Sequence, residues 1–167
     1  LRAVRLCREK KPQGMVFLGG NRQNFLADFC RIDVPCVLIT SDASALPFDN
    51  LCSVCCDEEL AVKQTMERLI QMGHRNIGII GGYLDRSDTS QRRFEGCSLA
   101  FREHDIAFDP TRDYVSARFS YTEGYRAAKE LTAGKKRYTA VFCMADVMAM
   151  GAIRALVDSG LRVPEDV

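Results

Sequence analysis

The chain has 167 residues, 47% of them hydrophobic, which is enough for one or two packed cores and far from a disordered composition. Its 23 basic and 22 acidic residues leave a net charge of +1, with no basic stripe of the kind that grips a phosphate backbone. The longest apolar runs, residues 34–40 and 76–82, are too short to cross a bilayer.

Residues 1–11 read as the tail of a helix that Pro12 stops. Strands are expected at 14–18, 36–40 and 53–56, and a helix carrying Phe25 and Phe29 at i, i+4 joins the first two. A helix over 58–72 follows. Asp57 stands at its N-cap, Glu58 and Glu59 suit its first turn, and Gly73 closes it. Val62, Met66, Leu69 and Ile70 form its core-facing stripe.

A second series opens with a strand at 76–80, then Gly81, Gly82 and a polar loop. A helix from about 90 to 104 is expected to bury Phe94, Cys97 and Phe101, and a strand occupies 114–117. Thr122 is read as the cap of a helix that Gly134 ends. A buried strand at 139–143 leads to a helix capped by Asp146, running to 159 and ended by Gly160. Residues 163–167 approach a further strand. Strands alternating with amphipathic helices predict an α/β fold with open parallel sheets.

In such sheets a ligand lies beyond the carboxyl ends of the strands. Those ends carry Gly19, Gly20 and Asn21, Ser41 and Asp42, Asp57, residues 82–93, residues 119–122, and Met144, Ala145 and Asp146. Hydroxyls, carboxylates, an aromatic and an arginine pair suit a polar, multi-hydroxyl or anionic small molecule. Ser87 and Ser90 have no histidine nearby in sequence, so no nucleophile–base pair is formed and no enzyme is expected. The glycines 78, 81 and 82 lack the GxGxxG spacing of a dinucleotide site, no phosphate-loop motif follows, and no cofactor is expected.

Eight cysteines raise the question of a metal or disulfide framework. Cys52, Cys55 and Cys56 look like half of a site, but positions 7, 30, 36, 97 and 143 provide no second CxxC, and His74 and His104 have no HxxxH partner. Isolated buried thiols in a reducing cytosol are the expectation, with no metal.

Several segments resemble one family. The run from Pro35 to Ile39 resembles the "P-V-V-x-I/L-D" strand of the LacI/GalR repressors. Val54 to Asp57 followed by 69–78, with Gly73, His74, Arg75 and Gly78, resembles their "V-x-x-D…L-I-x-x-G-H-R-x-I-G" block. Ser87 with Arg93 and Gly96 resembles "S…R-x-x-G", and Phe119 with Gly124 and Tyr125 resembles "F-x-x-x-x-G-Y". Residues 139–142, then Asp146 to Ala152 and the closing Val-Pro-Glu-Asp-Val, complete the order.

The resemblance implies a two-lobed sensor like the periplasmic sugar-binding proteins, each lobe an open parallel sheet flanked by helices. Residues 1–73 would be a partial N-terminal lobe and 74–167 the C-terminal lobe without its last strand. A helix-turn-helix headpiece outside this stretch would bind operator DNA, and the chain would be truncated at both ends. The sensor would be cytoplasmic and homodimeric, away from any membrane. It would bind a small-molecule effector in the interlobe cleft and so modulate operator binding. The alternative is a periplasmic sugar-binding protein of a transporter.

By the same resemblance Arg93 is the ligand-gripping arginine and Phe119 the aromatic wall. Ser87 and Thr89 lie in the loop that meets the effector. Asp57 caps its helix and is placed to accept a ligand hydroxyl, and Asp146 is read as a cap with a secondary effector role. Ala145 departs from the asparagine common in sugar-responsive members, which leaves a sugar, a nucleobase or a nucleoside open.

Overall fold

The computed structural model describes residues 2–20 and 22–167. The described chain forms two compact units. The first runs up to Asp57 and includes Arg86–Thr89, and the second comprises Glu58–Asp85 and Ser90–Val167.

In the first unit, α1 (Arg2–Lys10) precedes β1 (Met15–Leu18), α2 (Arg22–Asp28), a short 3-10 turn (Phe29–Arg31), β2 (Cys36–Ile39) and β3 (Leu51–Val54). The strands form a parallel sheet in the order β1-β2-β3. Its core joins Val4, Phe25, Phe29, Ile32, Cys36 and Leu38 with Leu46. The phenylalanines at 17, 25, 29 and 48 pack in tilted and edge-on pairs, with ring centroids between 4.8 and 6.1 Å apart. Alternation along β1 and β3 leaves Val16, Leu18 and Val54 exposed.

The second unit contains α3 (Glu58–Gln71), β4 (Ile77–Gly81), α4 (Asp88–Glu103, its first two residues counted with the first unit), α5 (Pro110–Asp113), β5 (Tyr114–Ser116), α6 (Tyr121–Thr132), β6 (Ala140–Cys143) and α7 (Asp146–Asp158). Its parallel sheet has the order β5-β4-β6, with the central β4 buried along its whole length. Helices cover both faces, as the near-continuous apolar run of β4 requires. One core joins Val62, Met66 and Ile70 of α3 to Ile77, Ile79, Cys97 and Phe101. The other joins Ile80 and Val115 to α6 and α7 through Ala127, Ala128, Leu131, Met148 and Ala152. Helices α6 and α7 approach closely because neither Gly124 nor Gly151 carries a Cβ. One at Gly124 would meet the backbone of Met148, and one at Gly151 the Tyr121 carbonyl.

Three local readings are corrected. Thr122 does not cap α6; the chain turns two residues earlier, where the extended Ser120 accepts a hydrogen bond from the Glu123 N–H at 3.3 Å. Asp146 does not cap α7, because it is already helical. The N-cap position is Ala145, with no side-chain cap bond. The cysteines are not uniformly buried: Cys30, Cys52, Cys55 and Cys56 are exposed, since Cys52 lies on the outward side of β3 and the next two follow the end of that strand. The first compact unit ends at Asp57, and α3 belongs to the second because its apolar face packs on β4 and α4.

Candidate effector site

The carboxyl ends of β4, β5 and β6 come together in the second unit, and three elements furnish side chains there. Strand β4 ends in Gly81 and Gly82, where backbone space is occupied by neighbours. A Cβ on Gly82 would lie 3.0 Å from the ring of Phe119, and one on Gly81 would collide with the Tyr114 hydroxyl and the Met144 sulfur. Tyr114 donates its hydroxyl hydrogen to the Gly82 carbonyl. Its phenol is pushed well above the ordinary value, chiefly by burial and then by neighbouring Cys97. It therefore serves as a neutral donor that fixes the loop.

Phe119 follows β5 with one edge of its ring over Gly82, and it remains 45% exposed. That exposure rules out its being an ordinary core phenylalanine. A half-bare ring beside backbone offers an apolar surface to a flat partner.

Arg93 lies in the second turn of α4, and its side chain is 24% exposed. Its Nε and Nη2 donate to the two oxygens of Glu58, at 2.7 and 3.1 Å, in a bidentate pair. Its Nη1 donates to the Met144 carbonyl at the end of β6. These three bonds tie α4 to the start of α3 and to the sheet. Arg93 therefore has a structural role whether or not a ligand is bound. Of the five N–H donors of a guanidinium, two stay available in a fixed plane. Asp146 is exposed, two residues beyond Met144 at the same end of the sheet.

Arg93, Phe119 and Asp146 are thus brought to one end of one sheet. Asp57, Ser87 and Thr89 belong to the first unit. There Asp57 is exposed, and Ser87 and Thr89 are half-buried at the start of α4. Asn21 lies outside the described residues. Sequence reasoning missed Glu58 as the partner of Arg93, and no local signal marks a pair 35 positions apart. It also missed the tyrosine that holds Gly82.

The thiols near this end are not nucleophiles at neutral pH, since burial pushes both Cys97 and Cys143 up to about 12. Among the described residues, no group of three histidines, cysteines or carboxylates could hold a metal ion. No helix among them is long and apolar enough to cross a membrane.

Comparison with known proteins bears on what this arrangement serves. Residues 66–167 match the profile of the periplasmic binding protein-like domain. The chain is 42% identical over 100 residues to the HTH-type transcriptional repressor PurR of Haemophilus influenzae, covering 60% of this chain and 29% of that one. It is 31% identical over 160 residues to the catabolite control protein A of Priestia megaterium, covering 94% and 46%. The solved complex of the transcriptional regulator CelR with cellobiose superposes with a TM-score of 0.86 at 29% identity, covering 99% of this chain and 50% of that one. The chain spans less than half the length of the two curated relatives.

Proposed function

We propose, for a chain that belongs to the periplasmic binding protein-like domain family in the form carried by LacI-family transcriptional regulators, that it senses a small polar effector and passes that occupancy to operator binding by the whole protein. The observation that carries the proposal is the state of Arg93. Its guanidinium is held by Glu58 and the Met144 carbonyl, yet it keeps two donors at the same sheet end as the half-exposed Phe119. Preorganised donors and an aromatic face at the same end of one sheet suit a ring that carries hydroxyl or carbonyl oxygens. A sugar or a nucleobase or nucleoside answers that description. The cellobiose held by a relative favours the sugar class, whereas Ala145 lacks the amide that would bond a sugar hydroxyl. Asp146 joins Arg93 and Phe119 in the proposed contact set of this unit, and Asp57, Ser87 and Thr89 are proposed as effector contacts of the first unit by the family resemblance alone.

Operator DNA would be held by a headpiece outside residues 1–167, in line with the near-neutral charge of this stretch. Effector would act by shifting a pre-existing equilibrium between two sensor states. The working form is proposed to be a cytoplasmic homodimer. The relatives named above are regulators, so the transporter alternative is not carried forward.

Calorimetric titration of the intact regulator with cellobiose, then with nucleobases and nucleosides, tests the reading. Saturable binding by one of them, lost in Arg93→Ala and kept in Arg92→Ala, is expected. Equal, small losses in both variants would overturn the placement of the site.

A further inference from the structure

The opposite end of the β5-β4-β6 sheet gathers an excess of positive charge. Arg75 precedes β4, Arg112 precedes β5, Lys136 precedes β6, and α4 is followed there by His104, Asp105 and Ile106. These residues line a cavity of about 450 Å3. Three permanent cations thus share one depression with a single lining carboxylate, Asp105.

Part of that charge is answered from beneath. The buried carboxylate of Asp113 accepts from Nε and Nη2 of Arg112, both at 2.8 Å, and from Nζ of Lys136 at 2.9 Å. One carboxylate does not exhaust the donors. Arg112 has spent two of its five N–H groups, and Lys136 one of its three. Arg75 uses only Nη1, on the carbonyls of Ile70 and His74 at 3.0 and 3.4 Å. Among the described residues, Nη1 of Arg112 and both Nε and Nη2 of Arg75 meet no acceptor. Asp113 therefore acts as a fixed base plate. It holds two cations in place and leaves their remaining donors for something else.

We propose that this cavity is an anion site for a small phosphate-bearing molecule, separate from the effector site at the carboxyl ends of the same strands. A phosphate dianion presents several strong acceptor oxygens at once, and guanidinium forks match pairs of them. Three cations delivered ahead of three adjacent strands line the cavity that would hold such a group. A monocarboxylate would satisfy only part of the donor set. Ile106 supplies an apolar wall for the body that carries the phosphate. The volume falls in the range of small-molecule sites and is too small for a folded partner. Because the two sites lie at opposite ends of the sheet, phosphate would not compete with effector.

The test uses the full-length regulator with inorganic phosphate and glycerol phosphate, against sodium chloride at matched ionic strength. Melting temperature and calorimetry are the readouts. Phosphate is expected to raise the melting temperature saturably where chloride does not, since a ligand bound only by the folded state stabilises it. Arg75→Gln should raise the half-saturating phosphate concentration about tenfold, the loss of one charge-assisted contact, and leave effector binding unchanged. Should Arg75→Gln fail to fold, Arg75→Lys keeps the charge without the fork, and a smaller loss of phosphate affinity in that variant supports the site. Three results would overturn it. They are a non-saturable response identical to that of chloride, an unchanged half-saturation in the folded Arg75 variants, and a phosphate response abolished by Arg93→Ala but kept in Arg75→Gln.

Discussion

A carboxylate taken out of water keeps its charge only where donors replace the lost hydration, and Asp113 has five within 3.1 Å: two from Arg112 and one each from Lys136, Tyr138 and the Asp109 amide. Burial alone would raise its pKa. Arg112, Lys136, the Asp109 amide and Tyr138 more than reverse that and hold it well below the usual carboxylate range. A folded pKa below the unfolded value, about 3.9, gives a contribution fully present above that pH and lost as pH falls through the folded value. Asp113→Asn should therefore cost about 3 kcal/mol near neutrality and flatten the acid limb of stability. Urea unfolding between pH 2 and 7 checks this, and parallel limbs in mutant and wild type would contradict it. A second residue-scale outcome concerns Glu58. Glu58→Gln releases the bidentate hold on Arg93 and should cost about 1–2 kcal/mol of stability and weaken effector binding as well. Paired denaturation and titration would expose a purely structural role as a stability loss with unchanged affinity. Arg93 was singled out because it stands in a recognisable motif. Glu58 was not, because periodicity and capping describe neighbours along the chain rather than partners in space. The base of the second site did leave a local trace: Asp109 before Pro110 is a cap-and-N1 signature, and it opens α5, with Asp109 accepting from the Thr111 N–H at 3.0 Å.

Among the elements, those with strong periodicity and clear stops lay close to where they were expected. The helix read over 58–72 is Glu58–Gln71, and the strand read over 114–117 is Tyr114–Ser116. Caps were less legible, since Ser120 and Thr122 are both hydroxyl residues and only the backbone at 120 is extended to receive the bond. Helix α7 shows what an apolar helix does with two faces. Met148, Ala152, Ala155 and Leu156 are buried, whereas Val147, Met150, Ile153 and Val157 are 39–62% exposed along one side. We propose that a second copy of the regulator covers the exposed side, because four large apolar side chains in a row are costly to leave in water. Ile153→Asp should shift the full-length protein towards monomer at micromolar concentration by sedimentation. An unaltered dimer would remove α7 from the interface. The inner face allows a sharper test. Gly151→Ala places a methyl against the Tyr121 carbonyl and should destabilise by about 1–3 kcal/mol in thermal unfolding. A neutral effect would mean that the two helices pack less tightly than described.

At the scale of the molecule, the alternation of strands and helices made the α/β class legible, and the ordered motifs made the family legible. The division into compact units was harder to read. Gly73 and His74 form a conspicuous stop and invite a boundary. Which unit owns α3 is settled instead by Val62, Met66 and Ile70 packing on Ile77, Ile79 and Phe101. A local signal cannot report that choice. The effector class stayed open for a related reason: the chain carries a donor fork and an aromatic ring, and these suit more than one ring-shaped polar ligand. We propose that Arg93 anchors the effector at the carboxyl ends of β4 and β6. The most direct measurement is calorimetric titration of the intact regulator and its Arg93→Ala variant with cellobiose, or with whichever sugar, nucleobase or nucleoside raises its melting temperature. A loss of about 2–4 kcal/mol, roughly thirty- to a thousandfold in affinity, is expected in a variant that remains folded by circular dichroism. Undiminished affinity in folded Arg93→Ala would contradict it.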